Sequence, residues 1–271
     1  MLKNIKISNL LFSIAIVVYL ANILGILLTV FLNSISKYWY GELFPKYITL
    51  EWYRYMVEEH NLPQLLFVTF FVVIMVAIIS LLIGFLTAYV LARYDFRLKS
   101  LFSSALLLPV ILPPMTYGIP LAALLYRLRL ANNLSGVVIA NLVPIVPFVT
   151  LVLTPFIEQI SVNLESAART LGASKLQTFF RILIPLSLPG ILTATILAIV
   201  RTIAMFELTF LVAGARTQTI IVALYYDAYA AGTRPPQVID ALAIVYFLIT
   251  VTLLGIALKF VSPTQMVFRV K

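Results

Sequence analysis

The sequence predicts an all-α integral membrane protein of six transmembrane helices, and three observations predict it. Of its 271 residues, 62% are hydrophobic and 11% charged, where soluble domains run at about 45–50% and roughly 25%. The mean hydropathy of +1.07 excludes a chain that stays open for want of apolar surface to bury. Apolar runs long enough to cross a bilayer, about 20 residues each, recur along the whole length.

The first run covers about 10–32 and follows Lys3 and Lys6. It exceeds the apolar core of a signal peptide and lacks a small-x-small cleavage site, so it reads as an uncleaved helix. Residues 33–63 form a polar, aromatic outer loop carrying Glu42, Glu51, Glu58 and Glu59. The second span, about 64–91, carries Gly84, Ala88 and Ala92 four residues apart, a face of small residues that admits close helix approach as readily as it reflects an alanine-rich composition. The third and fourth spans, about 101–126 and 134–157, hold seven of the fourteen prolines: Pro109, Pro113, Pro114, Pro120, Pro144, Pro147 and Pro155. Backbone freed by proline survives at membrane depth where protein or a wet cavity satisfies it, so these helices are expected to line a cavity, or else to kink for packing. The fifth span is expected over 188–212 and the sixth over 240–261. Between them 217–237 reads as a short helix or re-entrant segment. The expected domains are the first helix with its outer loop (1–63), a five-helix core (64–262) and a cytoplasmic tail (263–271).

Six spans place both termini on one side. With the N-terminus inside, eleven Lys and Arg fall inside and seven outside, and the net charges are +8 and +1. This is the positive-inside pattern, and it accounts for the overall +9 without nucleic acid. There is no cysteine, so disulfides and thiolate metal sites are excluded. The one histidine, His60, sits among Glu58, Glu59 and Asn61 and reads as a solvated loop residue. Histidine-pair metal sites and His-dependent nucleophilic catalysis have no material here.

The inner loop 158–187 is too regularly patterned to be a linker. Asn163 is placed to cap a helix in which Leu164, Ala167, Ala168 and Leu171 share one face, and Gly172 stops it. Ser174 and Gln177 have capping-box spacing. Leu176, Phe179, Phe180 and Leu183 repeat the pattern, and Pro185 and Pro189 are expected to break this helix before the next span. Such helices suit docking against a partner surface or against the bilayer surface.

Ser166-Ala167-Ala168, three residues, Gly172, nine residues, then Ile182-x-Ile184-Pro185 resembles the EAA-x3-G-x9-I-x-L-P loop of the inner-membrane permease subunits of binding-protein-dependent, type I ABC importers. Ser166 stands at the motif glutamate and Ile184 at its leucine, so the resemblance carries over no glutamate contact at Ser166. Glu165 lies one residue earlier, on a different helix face. Thr49-Leu50-Glu51-x-Tyr53-Arg54 and Ala88-Tyr89-Val90-Leu91-Ala92-Arg93 extend the likeness, which spans about 48–263. The stretch 144–151, Pro-Ile-Val-Pro-Phe-Val-Thr-Leu, looks closest to the polyamine and ferric-iron permeases. The resemblance implies a multi-pass protein of a prokaryotic cytoplasmic membrane whose loop is a coupling helix. Its coupling residues are Leu164, Glu165, Ser166, Ala167, Ala168, Leu171, Gly172, Ile182 and Pro185. The implied partners are a second permease subunit, a different chain by this reading, two cytoplasmic ATPase subunits and an extracytoplasmic solute-binding protein. The sequence has no Gly-x4-Gly-Lys-Ser/Thr loop, so no cofactor is expected on this chain, and ATP and Mg belong to the partner ATPases.

Arg201 and Glu207, ionisable residues inside the expected fifth span, are functional candidates because charge is costly in a bilayer. Six positions separate them, about 240° and roughly 9 Å on a continuous helix. Glu207 is expected to line the substrate route or its gate, and Arg201 to hold helices together. An ion-coupled secondary carrier is the competing reading, but the two similar halves it calls for are not evident. An intramembrane enzyme lacks the histidines and acidic clusters it would need. The four outer glutamates suit a cationic ligand or the docking of a binding protein equally well.

Overall fold

The computed structural model describes residues 2–229 and 234–260. The expected tail, 263–271, lies outside the described residues, as does the side chain of His60. Helix α1 is Leu2–Ser34, α2 Glu51–His60, α3 Leu62–Arg93, α4 Lys99–Ile111, α5 Pro114–Arg127, α6 Leu134–Glu158, α7 Val162–Thr170 and α8 Lys175–Thr178. A π-helical turn, Phe179–Leu183, leads into α9, Ile184–Ile203, followed by α10 Glu207–Val212, α11 Ile220–Tyr229 and α12 Pro236–Phe260. Among the described residues five helices are long and apolar enough to cross a membrane, and α4 with α5 makes a sixth if the bent pair is one span.

Three boundaries differ from the sequence expectation. The third span is not one helix: α4 and α5 meet at 97°. Leu112 and Pro113 are both extended, with ψ 141° and 130°, because a residue before proline is pushed out of the helical region and Pro113-Pro114 supplies no backbone donors to continue the ladder. Pro114 then starts α5, where a missing N–H costs nothing. The fifth span is likewise interrupted, α9 ending at Ile203 and α10 starting at Glu207. Conversely, Pro185 does not break the helix before it. The Ile184 N–H bonds to the Phe179 carbonyl, five residues back, and this wider turn moves the Arg181 carbonyl away from the proline ring, so Lys175–Ile203 runs on as one 29-residue span.

The chain forms two compact units. The first comprises 1–62 and 224–248. In it α1 exposes Val17, Tyr19 and Leu24, as a lipid-facing helix does. The outer loop contains a helix, α2, where no regular structure was expected. The loop is pinned by the Trp52 indole N–H on the Ser36 carbonyl (2.6 Å) and by Ser34 with the Tyr53 hydroxyl (2.8 Å). Three of the four loop glutamates are paired: Glu42 with Lys46, Glu58 with Arg54, and Glu59 with Arg234, which also binds Asp227 at 2.6 Å. Most of the loop's carboxylates are therefore already matched by cations of the same unit, Glu51 being the exception among the described residues.

The second unit, whose described residues are 63–223 and 249–260, holds the main core. Val76 of α3, Leu125 of α5, Ile145, Val149 and Leu153 of α6, Ala194 and Ala198 of α9 and Leu208 of α10 are buried in one cluster. Helix α6, despite Pro144, Pro147 and Pro155, is continuous and central, 61% of its apolar stretch being buried; Pro144 and Pro147 sit in packed core and Pro155 is half-buried. The small-residue face of α3 is a true close approach. A Cβ on Gly84 would lie 2.7 Å from Val149 Cγ1 and 3.3 Å from the Thr150 backbone nitrogen, and Ala88 is fully buried.

Candidate functional site: a coupling loop tied to α3

Helix α7 starts two residues earlier than the sequence suggested. Ser161, not Asn163, is the N-cap, its Oγ accepting the Asn163 N–H at 3.3 Å; Asn163 lies inside the first turn, where an asparagine has no cap to make. Gly172 stops the helix as expected, at φ +88°, a left-handed conformation open to glycine at no steric cost. The second cap is also as expected: Ser174 Oγ accepts the Gln177 N–H (3.2 Å) and Gln177 Oε1 accepts the Ser174 N–H (2.8 Å).

Tertiary packing splits the apolar face read from the sequence. Ala168 and Glu165 turn inward and are buried, while Leu164, Ala167 and Leu171 are exposed together with Ser166. The Ser166 hydroxyl donates to the Val162 carbonyl at 3.2 Å, so it is spent within the helix. On the following segment Leu183 is buried, Ile182 and Phe179 are half-buried, and Leu176, Phe180 and Pro185 are exposed. The loop thus presents an outer surface of small and aliphatic side chains, with Leu171 and Leu176 protruding (88% and 70% exposed).

The inward carboxylate has a definite partner. Arg93, the last residue of α3, donates from Nε to Glu165 Oε1 at 2.7 Å, and both side chains are only 6% exposed. A second guanidinium nitrogen of Arg93 donates to the Ile160 carbonyl at 2.8 Å. One side chain therefore ties the end of a membrane span to both the start of the loop and its first helix. Glu165 faces the protein, whereas Ser166, at the motif glutamate's position, is exposed on the outer surface. The sequence showed Arg93 as one of a basic group at the end of a span. Its pairing joins residues 72 positions apart, which no local spacing reveals.

In the membrane core Arg201, in the last turn of α9, places its guanidinium carbon 4.6 Å from the centroid of the Phe148 ring on α6, a cation–π contact. Glu207 opens α10, where a carboxylate complements the helix N-terminus. Because the helix is broken between them, the angular separation derived for one continuous helix does not apply. Among the described residues they form no ion pair with each other. Nearby, the Asn141 amide donates to the Val137 carbonyl (2.8 Å) and to Thr209 Oγ1 (3.0 Å), tying α6 to α10. No grouping of His, Asp and Glu among the described residues could hold a metal ion.

A family model described as "binding-protein-dependent transport system inner membrane component" matches residues 80–266. The chain is 36% identical over 165 residues to the molybdate/tungstate transport system permease protein of Pyrococcus abyssi, a match covering 60% of this chain and 66% of that one. It is 36% identical over 163 residues to the molybdenum transport system permease protein of Haemophilus influenzae, covering 54% and 71%. The sulfate transport system permease protein of Salmonella typhimurium is 27% identical over 180 residues, covering 61% and 65%. The chain thus spans about two thirds of the length of these relatives, and none of the three is a polyamine or ferric-iron permease. In fold it is similar to a bacterial ABC transporter involved in import of the acidic polysaccharide alginate, with a TM-score of 0.78 at 18% identity over 94% of this chain and 96% of that one. The MetNI methionine ABC transporter matches with a TM-score of 0.61 at 16% identity, over 76% and 95%. With most of its length matched, and with the coupling-loop pattern folded as two capped helices on the end of α3, the chain belongs to the family of inner-membrane components of binding-protein-dependent transport systems.

Proposed function

We propose that the chain is the permease subunit of an ABC importer, forming half of a permease dimer that couples two separate ATPase subunits to alternating access. The observation that carries this reading is the Arg93–Glu165–Ile160 junction. A helix that must convey a displacement has to be rigid and firmly joined to what it moves. Helix α7 is capped at both ends and bound to α3 by a buried, two-point contact, while its outer face stays free for a partner. The excess of positive charge on the loop side supports a cytoplasmic location for this face and for both termini. An extracytoplasmic binding protein delivers the solute on the opposite side, and Glu207 serves the substrate route or its gate.

The substrate class we propose is a small tetrahedral oxyanion. Relatives at 36% identity are named for molybdate, tungstate or molybdenum, and the outer loop of this chain has most of its glutamates neutralised. Arg201 places a cation in the membrane core. The test is to purify the chain with whatever assembles with it, reconstitute it with its binding protein, and measure ATP hydrolysis against molybdate, tungstate, sulfate and spermidine. Stimulation by an oxyanion supports the proposal. Stimulation by spermidine alone would refute the substrate class, and transport without any ATPase would refute the coupling reading in favour of a carrier.

A further inference from the structure

We propose that the cleft between the end of α3 and the α8–π segment binds an anionic phospholipid, headgroup against the coupling loop and acyl chain along α3. The proposal rests on reading this face as the cytoplasmic side of a membrane-embedded permease. The cleft has a volume of about 380 Å³ and is walled by Arg169, Lys175 and Leu176 on the loop side and by Leu86, Tyr89 and Phe180 on the membrane side. Its polarity is graded in the direction a lipid needs. Leu86 lies seven residues before the end of α3, about 10 Å along the axis, and is 57% exposed, which suits acyl-chain depth. Tyr89 lies one turn before the end, where aromatic side chains occupy the headgroup region. Its ring is held edge-on to Phe179 and Tyr94, with centroids 5.5 Å and 6.0 Å away, so the wall is rigid before any ligand arrives.

Charge points to an anion. Arg93 is matched by Glu165 and Lys99 by Asp95, whereas neither Arg169 nor Lys175 has an ion pair with a carboxylate among the described residues. Two unmatched cations beside an apolar slot have the form of sites that hold acidic lipid headgroups at the inner face. A soluble ATPase is the poorer occupant. The cleft shares Leu176 with the outer surface at its rim, but its far wall, Leu86 and Tyr89, belongs to α3, a helix long and apolar enough to span the bilayer, which puts that wall at lipid depth.

The test uses the full chain with its co-assembled ATPase in nanodiscs of phosphatidylcholine containing a tenth phosphatidylglycerol bearing a photoactivatable acyl chain. Crosslinks are expected on peptides 86–94 and 169–181, and native mass spectrometry should show retained phosphatidylglycerol. R169Q and K175Q should each lower retention on the order of fivefold, and R54Q, on the outer loop, should leave it unchanged. Equal retention of phosphatidylcholine and phosphatidylglycerol would overturn the proposal. So would displacement of the lipid by millimolar inorganic phosphate, which would mark a simple anion site, or crosslinking abolished whenever the ATPase is bound, which would mark a protein contact. Co-purification of the ATPase is scored in the same preparation. An assembled complex without selective lipid refutes the lipid site alone, and loss of the ATPase from the unmodified chain refutes the permease reading.

Discussion

Removing the Glu165 carboxylate should detach the coupling helix from α3 without unfolding the membrane core. In the native chain a guanidinium and a carboxylate, each 6% exposed, meet at 2.7 Å. Breaking such a pair from one side costs about 3–5 kcal/mol, because the remaining charge stays buried without its counter-ion. Glu165→Gln keeps the size of the side chain and leaves Arg93 its bond to the Ile160 carbonyl, so its cost belongs at the low end, about 3 kcal/mol. At 1.4 kcal/mol per decade that corresponds to roughly a hundredfold shift toward an undocked α7. Arg93→Ala loses both contacts and should cost more. Exchanging the two residues should not restore the wild type, since a glutamate at 93 cannot donate to Ile160. The readouts are hydrogen exchange over Val162–Thr170 and the ratio of uptake to ATP hydrolysis in proteoliposomes. Exchange in α7 should accelerate sharply, and the ratio should fall while hydrolysis persists. Unchanged exchange and an unchanged ratio in Glu165→Gln would refute the argument that this pair is the mechanical joint.

Three further outcomes follow from the geometry. Gly172→Asp meets no neighbour within 4 Å but must adopt φ +88°. It should cost about 1 kcal/mol, lower the uptake-to-hydrolysis ratio and leave membrane insertion normal, as checked by fractionation and transport assay. Gly136→Ala would place a Cβ 2.1 Å from the Leu130 carbonyl oxygen. Because that obstacle is backbone, the thermal midpoint in detergent should drop by an amount equivalent to about 1–3 kcal/mol, whereas Gly25→Ala, with no atom within 4 Å, should not move it. Glu207→Gln should leave assembly with the ATPase intact and reduce substrate-stimulated hydrolysis and uptake together; normal values of both would remove Glu207 from the pathway.

Composition and local chemistry carried the sequence reading a long way, and its failures have physical causes. Gly172 and the Ser174–Gln177 box were legible because caps are decided by a few adjacent residues. The bend at Leu112 was less so: seven prolines marked the region, but only adjacent Pro113 and Pro114 stopped a helix, while Pro144, Pro147 and Pro155 were absorbed by the packing of α6. Pro185 was misread for the same reason, since a π-helical turn can accept a proline that an α-helical ladder cannot. The interruption after Ile203 carried no proline or glycine to announce it.

The sequence by itself determined that the chain lives in a membrane, roughly where it crosses, which face is basic, and that a patterned loop of coupling type lies on that face. Those properties follow from hydrophobicity, charge and short-range caps, which act within a turn or two of helix. Only the tertiary structure decided which way each loop residue faces. It sent Glu165 inward to Arg93, left Ser166 on the surface, split the leucine–alanine face of α7, and placed Arg201 over Phe148. The two charged contacts are choices among helix faces made by partners 72 and 53 positions distant, and in low dielectric a buried charge settles wherever a counter-charge or ring can meet it, a condition no local pattern encodes.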